Sequence, residues 1–399
     1  MDIPQGYKQT EFGPIPSDWG VCTFQNVLTT FSSGATPYRG IPEYYKGNVR
    51  WISSGELNYN KIFDTIEHIS QQAVRNTNLR VHQPGTFLMA ITGLEAEGTR
   101  GRCAFVGAPA TTNQSCLAIN GTERMCTEYL FWFYRMWGQY LAFKYCQGTK
   151  QQSYTANIVK NLPIYGPKDI AEQKAIAEAL SDIDGLIAAL DKKIAKKRLI
   201  KQGAMQQLLT GKKRLPGFSG PWMERKLGAI SHIKTGSCNG DQAVDNGKYP
   251  FFVRSQKVYA IDSYSYDGEA ILVPGEGGIG SIFHYINGKF DYHQRVYKIS
   301  DFADNVCGKY IFFYMSRYFG EYALSLTVKA TVDSLRLPTF EEFVICMPLN
   351  IEEQQAIATI LNDMDKEIDD LEAQRDKYRL LKSGMMQKLL TGQIRLKIK

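Results

Sequence analysis

The chain contains an internal duplication, in which two long segments return at the same offset of 181 residues, from Ile170 to Ile351 and from Arg198 to Arg379. IAEQKAIAEALSDIDGLIAAL returns as IEEQQAIATILNDMDKEIDDL, and RLIKQGAMQQLLTGKKRL returns as RLLKSGMMQKLLTGQIRL. About half of the aligned positions are identical, and a repeat of this kind constrains the fold before any single element does. It predicts one architecture built twice.

Weaker parallels extend the duplication into the preceding regions. EYLFWFYR from Glu128 resembles KYIFFYMS from Lys309, and TNQSCLAI from Thr112 resembles YHQRVYKI from Tyr292. A length of 399 residues suits two domains with connectors. The predicted order is a globular domain at 1–165, a helical spacer at 166–213, a second globular domain at 214–348 and a second helical spacer at 349–399.

Both helical segments carry apolar residues at alternating spacings of three and four, which is the pattern of a coiled-coil seam. Roughly 40 residues at about 1.5 Å each predict a helix of about 60 Å. Gly211 and Gly392 stand where C-terminal caps are expected. The predicted seam consists of Ile176, Leu180, Ile183, Ile187, Leu190, Ile194, Ile357, Leu361, Met364, Ile368 and Leu371.

Charge predicts the direction of the helix pair, because each helix is acidic in its first half and basic in its second. A parallel pair would set like charges together, whereas an antiparallel pair sets opposite charges together. Each exposed ion pair contributes only about 0.2–1 kcal/mol, but their sum can select the orientation. We therefore predict an antiparallel coiled coil with a globular domain at each end, related by a pseudo-twofold axis.

The globular regions consist of short alternating runs interrupted by Gly, Pro and Asn, which indicates strands. A helix is predicted in each region, at about Thr127–Tyr145 and Asn305–Leu326. The expected fold class is α+β, with two pseudo-twofold-related α/β domains separated by two long helices that form an antiparallel coiled coil.

A net charge of +7 weakly favours a polyanionic partner. Polar and basic residues cluster near turns in both globular regions, where Arg, Asn and Gln could bind base edges and Lys, Ser and Thr could bind phosphates. Ordinary solvated loops are the alternative interpretation. The candidate DNA-binding residues are Ser33, Thr36, Tyr38, Arg39, Lys46, Arg50, Thr99, Arg100, Arg102, Lys234, Thr235, Ser237, Asn239, Arg254, Ser255, Gln256, Lys257, His293, Gln294 and Arg295.

No pattern in the chain predicts catalysis. GEGGIG at 275–280 lacks the spacing of a dinucleotide fingerprint, and the five histidines form neither HExxH nor a metal pair. Eight scattered cysteines and the lack of a long apolar run are typical of a reduced, cytoplasmic protein. We expect no catalytic residues, no metal site and no cofactor in this chain.

The chain resembles the specificity (S) subunit of type I restriction-modification enzymes over its whole length. The junctions LPIYGPKDIAEQKAIA from Leu162 and VICMPLNIEEQQAIA from Val344, with the doubled LLTG, are the most specific features. The segments FSSGATPYRGIPEYYKGNVRWISSGEL from Phe31 and GKYPFFVRSQKVYAIDSYSYDGEAILVPGEGGIG from Gly247 also resemble that family.

The resemblance implies a non-catalytic subunit with two target-recognition domains, each binding one half of a bipartite double-stranded DNA sequence, and helices that set the spacer. It implies assembly with two methyltransferase subunits and two restriction subunits. S-adenosylmethionine would belong to the methyltransferase, and ATP and magnesium to the restriction subunit. We further expect the repeated helices to offer docking faces, with Gln206, Gln207, Gln387 and Lys388 as candidates.

Two other functions remain open from the residues. A scaffold that holds two partner subunits without touching DNA would show no salt-dependent DNA affinity. A self-sufficient restriction or methylating enzyme would need a cofactor site that the motifs do not provide.

Overall fold

The structure is a computed structural model that describes residues 3–95, 98–148, 152–326 and 334–396. The chain divides into two compact units. The first unit comprises Met1–Ala189 and Arg375–Lys399, and the second comprises Leu190–Gln374. Each unit therefore contains one globular region and parts of both helical repeats.

The first unit is built on mixed β-sheets with one long covering helix. Its strands are β1 (Tyr7–Thr10), β2 (Gly13–Pro16), β3 (Gly20–Thr23), β4 (Thr29–Ser33), β5 (Val49–Ile52), β6 (Lys61–Ile62), β7 (Glu67–Ile69), β8 (Phe87–Ala90), β9 (Cys103–Val106), β10 (Ala110–Thr112), β11 (Cys116–Asn120) and β12 (Pro163–Gly166). Its helices are α1 (Phe24–Val27), α2 (Gln71–Asn76), α3 (Thr127–Tyr145) and α4 (Ala156–Lys160).

The main sheet of the first unit has the strand order β4-β11-β8-β9-β6. Strands β8 and β9 are apolar and buried on both faces, as expected for strands inside a core. Helix α3 covers one face, where Phe131 stacks on Phe105 at 4.7 Å and Tyr134 meets Phe87 edge to face. A three-stranded sheet, β10-β5-β7, and the pairs β1-β2 and β12-β3 complete the unit.

The second unit contains the strands β13 (Trp222–Lys226), β14 (His232–Thr235), β15 (Tyr249–Phe252), β16 (Val258–Ile261), β17 (Tyr266–Pro274), β18 (His284–Tyr292), β19 (Val296–Ser300) and β20 (Val344–Pro348). Its shorter helices are α6 (Leu227–Ile230), α7 (Gly308–Leu326) and α8 (Leu337–Glu341). The strands form one large sheet with the order β14-β19-β17-β18-β15-β16 and the separate pair β13-β20. Helix α7 packs on the large sheet through Phe313 and Phe319.

The two repeats form the long helices α5 (Ile170–Leu208) and α9 (Ile351–Leu390). In the first unit Asp184 of α5 pairs with Lys382 near the end of α9. In the second unit Lys197 and Arg198 of α5 pair with Glu367 and Glu372 in the first part of α9, at 2.6 and 2.5 Å. Within each unit the early part of one helix lies against the late part of the other. The predicted antiparallel coiled coil and the α+β class are confirmed.

The seam positions are buried, except that Leu190 and Met364 are half-buried. Their partners change along the helices. Ile194, Ile368 and Leu371 pack between the two helices with Leu190 beside them. The outer positions lie inside the domain cores instead, Ile176 and Leu180 in the first unit and Ile357 and Leu361 in the second. The helix segments of each unit therefore extend the core of that unit.

A buried glutamine in the first turn of each long helix anchors the helix to its domain. The Gln173 side chain donates to the carbonyl oxygens of Arg124 and Pro167 at 2.9 and 2.8 Å and accepts from the backbone N–H of Cys126 at 2.9 Å. Gln354, 181 positions later in the sequence, makes the same three bonds with Asn305, Pro348 and Cys307. The bond at Cys307 coincides with a later start of α7 than the sequence predicts, at Gly308 and not Asn305.

The residue before each glutamine is a buried glutamate that pairs with an arginine beyond the end of the other helix. Glu353 accepts two bonds from the Arg214 guanidinium at 2.6 and 2.7 Å. Glu172 accepts two from Arg395 at 2.5 and 2.7 Å. Bidentate geometry of this kind compensates the cost of burying a carboxylate.

Each of these arginines lies over a tryptophan near the start of the globular region in its own unit. The guanidinium of Arg395 lies 5.7 Å from the Trp19 ring, and that of Arg214 lies 5.7 Å from Trp222. Gly392 of the doubled LLTG packs against Trp19 with a φ of +69°, in the left-handed region that favours glycine at a helix end. The LLTG motif thus ends each helix and closes a corner of the domain.

Replacement of Gln354 by methionine should destabilise the second unit strongly. The change leaves one N–H and two carbonyl groups without their side-chain partner, at a cost of about 1–3 kcal/mol for each group that stays buried. The neighbouring Gln355 is exposed, so Gln355→Met is a matched control that should change the unfolding free energy by less than about 0.5 kcal/mol. Urea unfolding followed by circular dichroism measures both. Equal midpoints for the two variants would contradict the anchoring role.

Candidate nucleic-acid interface

In the second unit, three loops leave the large sheet at one edge. Thr235 at the end of β14 pairs with Tyr297 near the start of β19, and Pro274 at the end of β17 pairs with Val296. Paired antiparallel strands run in opposite directions, so the end of one lies beside the start of the next. The loops that follow β14 and β17 and the loop that precedes β19 therefore emerge together.

Side-chain contacts join these loops and the loop after β15 into one cluster, which we call the second-unit loop cluster (residues 234–239, 254–257, 276 and 293–295). The Gln294 amide donates to Asn239 Oδ1 at 2.7 Å. Glu276 lies between two guanidinium groups, 3.2 Å from Arg254 and 3.5 Å from Arg295. The structure thus brings together three segments that the sequence singled out separately.

Two cavities of about 380 and 320 Å³ lie in this cluster. The larger is lined by Thr235, Glu276, Gln294, Arg295 and the exposed Arg336, and the smaller by Arg254, Ser255 and His293, among others. Most of the remaining predicted residues of the second unit are exposed: Lys234, Ser237, Gln256 and Lys257. Ser255 is half-buried and donates to the backbone oxygen of Lys257 at 3.0 Å.

His293 is buried within this cluster. Its pKa is lowered first by burial and then by the positive charges of Arg254 and Arg295, while Glu276 raises it. Its Nδ1 accepts a bond from the backbone N–H of Arg295 at 2.9 Å. The ring therefore supports the loop that carries Arg295.

The first unit repeats this arrangement with other residues. Ser33 at the end of β4 pairs with Leu117 of β11. The start of β11 pairs with the end of β8, and the end of β8 also pairs with the start of β9. The loop after β4 and the loop between β8 and β9 therefore leave the main sheet at one edge. This edge brings Ser33, Thr36, Tyr38 and Arg39 to the same side as Thr99–Arg102.

Arg39 is the most firmly positioned cation of the first loop. It donates to both oxygens of Glu67 at 2.5 and 2.8 Å and lies 4.2 Å from the Tyr45 ring. Thr36 donates to Gln114, and Tyr38 is 73% exposed, which leaves its ring available to a ligand.

Lys46 and Arg50 each lie beside a carboxylate. Arg50 is in β5 of the three-stranded sheet, 3.4 Å from Asp64, and Lys46 is 3.8 Å from Glu43.

The loop between β8 and β9 rests on helix α3. Gly101, with a φ of +75°, lies so close to the backbone at Gly138 that any side chain there would collide with it. Arg100 donates to the carbonyl oxygen of Glu95 at 3.1 Å, and Arg102 to that of Gly98 at 2.8 Å. Thr99 is half-buried.

Sequence reasoning missed the acid that organises the second-unit loop cluster. Glu276 lies in GEGGIG, the glycine-rich segment that was tested only as a nucleotide fingerprint. The available signal was a lone acid between glycines, in a chain whose other loop candidates are neutral polar or basic residues. Arg336 was also missed, because it adjoins helix α8 and not a glycine-rich turn.

Within the part of the chain that the structure describes, no helix combines the length and apolarity that crossing a membrane requires. Nor do three or more His, Cys, Asp or Glu side chains in the described ranges come together as metal ligands would.

Comparison with known proteins identifies the family. The family model described as the type I restriction modification DNA specificity domain matches residues 16–197 and again 220–378. The MjaVIII type I restriction enzyme specificity subunit of Methanocaldococcus jannaschii is 23% identical over 434 residues, covering 99% of this chain and 98% of the relative. The MjaIX specificity subunit of the same organism is 30% identical over 186 residues, which cover 45% of this chain and 41% of that relative.

The fold has a solved counterpart. The crystal structure of a type I restriction-modification S subunit from M. genitalium superimposes with a TM-score of 0.71, covering 100% of this chain and 99% of that one. The sequence identity is 13%, so this likeness concerns the fold.

The pKa of His293 should respond to the charges around it. Arg254→Gln or Arg295→Gln removes a positive charge and should raise that pKa, whereas Glu276→Gln should lower it further. Titration of the histidine ring protons by NMR measures the shifts. His82 in the first unit, where burial lowers the pKa to about 4, is the internal control and should not respond. An unchanged His293 in all three variants would refute the proximity of these charges in solution.

Proposed function

The chain belongs to the type I restriction-modification DNA specificity family, and we propose that it recognises a bipartite double-stranded DNA target, one half-site for each unit. The observation that carries this proposal is the duplication. Two globular regions offer polar loops at one sheet edge, and each is continuous with the same pair of helices. A protein with two similar but non-identical binding faces suits a target with two non-identical halves.

The loop residues of the two units differ, so we expect the two half-sites to differ in sequence. The second-unit loop cluster holds two guanidinium groups on one carboxylate, and an arginine can bind the O6 and N7 atoms of guanine. In the first unit a single Arg39 is fixed on an aromatic ring beside the exposed Tyr38. The candidate DNA-binding residues named from the sequence belong to this proposal, with Glu276 and Arg336 added.

We propose recognition domains at 1–165 and 214–348, with spacers at 166–213 and 349–399 that set the distance between half-sites. Helices of 39 and 40 residues correspond to about 60 Å. Since one DNA turn is about 34–36 Å, this length sets an upper limit of about 18 base pairs between the sites.

Exposed leucines on the long helices suit the docking of two methyltransferase subunits. Leu380 and Leu381 are 76% and 50% exposed, and Leu199 and Ile200, their counterparts in the repeat, are 68% and 47% exposed. In the first unit the patch lines a groove of about 500 Å³ that includes Lys388, one of the sequence candidates. Exposed apolar patches of this kind mark protein interfaces.

On this proposal the chain has no active site and acts in the cytoplasm with its DNA. The methyltransferase subunits would bind S-adenosylmethionine, and two restriction subunits would use ATP and magnesium.

Methylation sequencing of DNA from cells that co-express this chain with its methyltransferase should reveal one split motif with a fixed spacer. Combined replacement of Arg254 and Arg295 by alanine should relax or change only one half of that motif, because each lost base contact costs about 1–3 kcal/mol of discrimination. Arg225→Ala, outside the loop cluster, is the control. A stable, active complex without any new methylated motif would refute recognition and favour a scaffold that does not bind DNA.

Introduction of a charge into either exposed pair should remove one methyltransferase subunit from the complex. Leu380→Glu and Leu199→Glu should each lower the partner stoichiometry from two to one, and the double variant should lower it to zero, because a buried charge at an interface is unfavourable. Leu186 is also exposed on α5, but its repeat counterpart is Glu367, so Leu186→Glu is the matched control. Size-exclusion chromatography with light scattering measures the masses. Unchanged stoichiometry in the double variant would exclude these patches.

A further inference from the structure

The second unit contains a buried lysine near one edge of its large sheet. Lys298 lies in β19, next to the edge strand β14, and is only 5% exposed. Within the described ranges of the chain, its ammonium makes no hydrogen bond and no ion pair, and it lies 3.3 Å from the centre of the Tyr266 ring. An ammonium has three donors, and burying a charge without acceptors is unfavourable. The site therefore lacks the acceptors that a buried ammonium needs.

A second lysine lies directly opposite the first. In the antiparallel register of β14 and β19, Lys234 is the partner of Lys298. Side chains of directly opposite residues project from the same face of a sheet, with Cβ atoms about 4.5–5.5 Å apart, and like charges at such positions are destabilising. Lys234 is exposed and, among the described residues, forms no ion pair. Two ammonium groups thus share one face at the edge of the sheet.

One carboxylate lies near the pair, but it is bonded to other groups. Asp301 accepts hydrogen bonds from Tyr266 at 2.8 Å and from Ser300 at 2.9 Å, and it lies 3.6 Å from His232. Burial lowers the pKa of Lys298, the charge of Asp301 raises it, and the charge of Lys234 lowers it further. Burial and the second lysine therefore outweigh this acid, and an anion beside the two ammonium groups would relieve their repulsion.

The first unit indicates that the sheet does not need these lysines. The parallel between TNQSCLAI and YHQRVYKI places Ala118 at the position of Lys298. Ala118 pairs with Ser32 across β11 and β4, which are the outer two strands of the main sheet, as β19 and β14 are of the large one. The same strand pairing therefore forms with two small neutral residues. A lysine pair that is unfavourable for folding and dispensable for strand pairing indicates a ligand.

The location of the pair indicates the class of ligand. Lys234 is the last residue but one of β14 and the first residue of the second-unit loop cluster. The next residue, Thr235, lines the cavity of about 380 Å³ in that cluster, together with Arg295. A polyanion bound to the loop cluster would therefore pass the end of β14. An oxyanion there can accept hydrogen bonds from both ammonium groups.

We propose that Lys234 and Lys298 together bind a phosphate group, supplied by the DNA backbone beside the half-site of the second unit. Lysine binds phosphate as a point charge, so the contact fixes the register of the duplex without reading a base. Because Ser32 and Ala118 stand at the equivalent positions of the first unit, the contact belongs to one half-site. This inference rests on the proposed function for the source of the phosphate, but not for the chemistry of the two lysines.

The first test separates a ligand site from a structural contact. Lys298→Met keeps the apolar stem of the side chain and removes a buried charge, so the melting temperature of the full-length chain should rise by about 2–4 °C. Lys309→Met is the matched control, because Lys309 also lies on a tyrosine ring, 3.9 Å from the centre of Tyr285, but near the carboxylates of Asp365 and Glu269. The control should not raise the melting temperature. A lower melting temperature for Lys298→Met would show a structural role and overturn the proposal.

The second test measures the DNA affinity of the assembled methyltransferase complex against salt concentration. The double variant Lys234→Ser, Lys298→Met should weaken binding to target and non-target duplexes equally. It should also reduce the slope of log K against log salt by about 1, because one phosphate contact is lost. Lys309→Met should leave the slope unchanged. Replacement of single phosphates by neutral methylphosphonates should then identify one position whose effect disappears in the double variant.

The third test distinguishes a free anion from the DNA backbone. Inorganic phosphate is titrated into the full-length chain, with chloride at matched ionic strength, and the melting temperature is followed. Phosphate stabilisation that the double variant abolishes, with unchanged DNA binding, would keep the phosphate site and reject DNA as its source. No effect of the double variant on either phosphate or DNA binding would overturn the proposal. The methylated motif is read independently, so failure of the lysine site and failure of DNA recognition remain distinguishable.

Discussion

Glu172 and Glu353 are buried carboxylates, and each is compensated by an arginine that lies beyond the end of the opposite long helix. A carboxylate without this partner would be costly to bury, so the chain must bring the end of one helix to the start of the other. That requirement specifies an antiparallel pair and its register together. The neighbouring glutamines then attach the same helix turns to the globular regions through three hydrogen bonds each. Ion pairs, hydrogen bonds and apolar contacts consequently join the long helices of each unit to its globular region, as one framework.

Much of this framework could be predicted from the sequence, because it depends on periodic and repeated residues. The 181-residue offset located both helices, and the charge gradient along each gave their direction. The same offset relates Glu172 to Glu353 and Arg214 to Arg395, yet their pairing was not inferred, since it depends on an antiparallel register that places distant residues together. Loop contacts were harder to predict. The residue types near turns suggested Arg254 and Arg295, but the acid that joins them comes from a third loop, and only the sheet topology brings it there.

The departures from the duplication are as informative as the duplication itself. Trp132 and Phe313 occupy equivalent positions of the repeat and lie under the equivalent lysines Lys382 and Lys201. Arg135 and Ser316 also occupy equivalent positions, but their side chains differ in charge. The loop edges follow the same rule, since both leave a sheet at one edge but carry different side chains. Residues that hold helices and domains together are kept in both copies, whereas the polar residues of the loop edges differ. This is the pattern expected when one scaffold supports two binding specificities.

The division of the chain into units has a consequence for biosynthesis. The second unit is one uninterrupted stretch, Leu190–Gln374, whereas the first is completed by Arg375–Lys399. Arg395, which compensates Glu172, is synthesised after the whole of the second unit. During translation the second unit therefore has all of its residues while the first still has an uncompensated glutamate and an open core at Leu389 and Leu390. The region made first is the one that finishes folding last, so a nascent or prematurely terminated chain would expose it to chaperones and proteases.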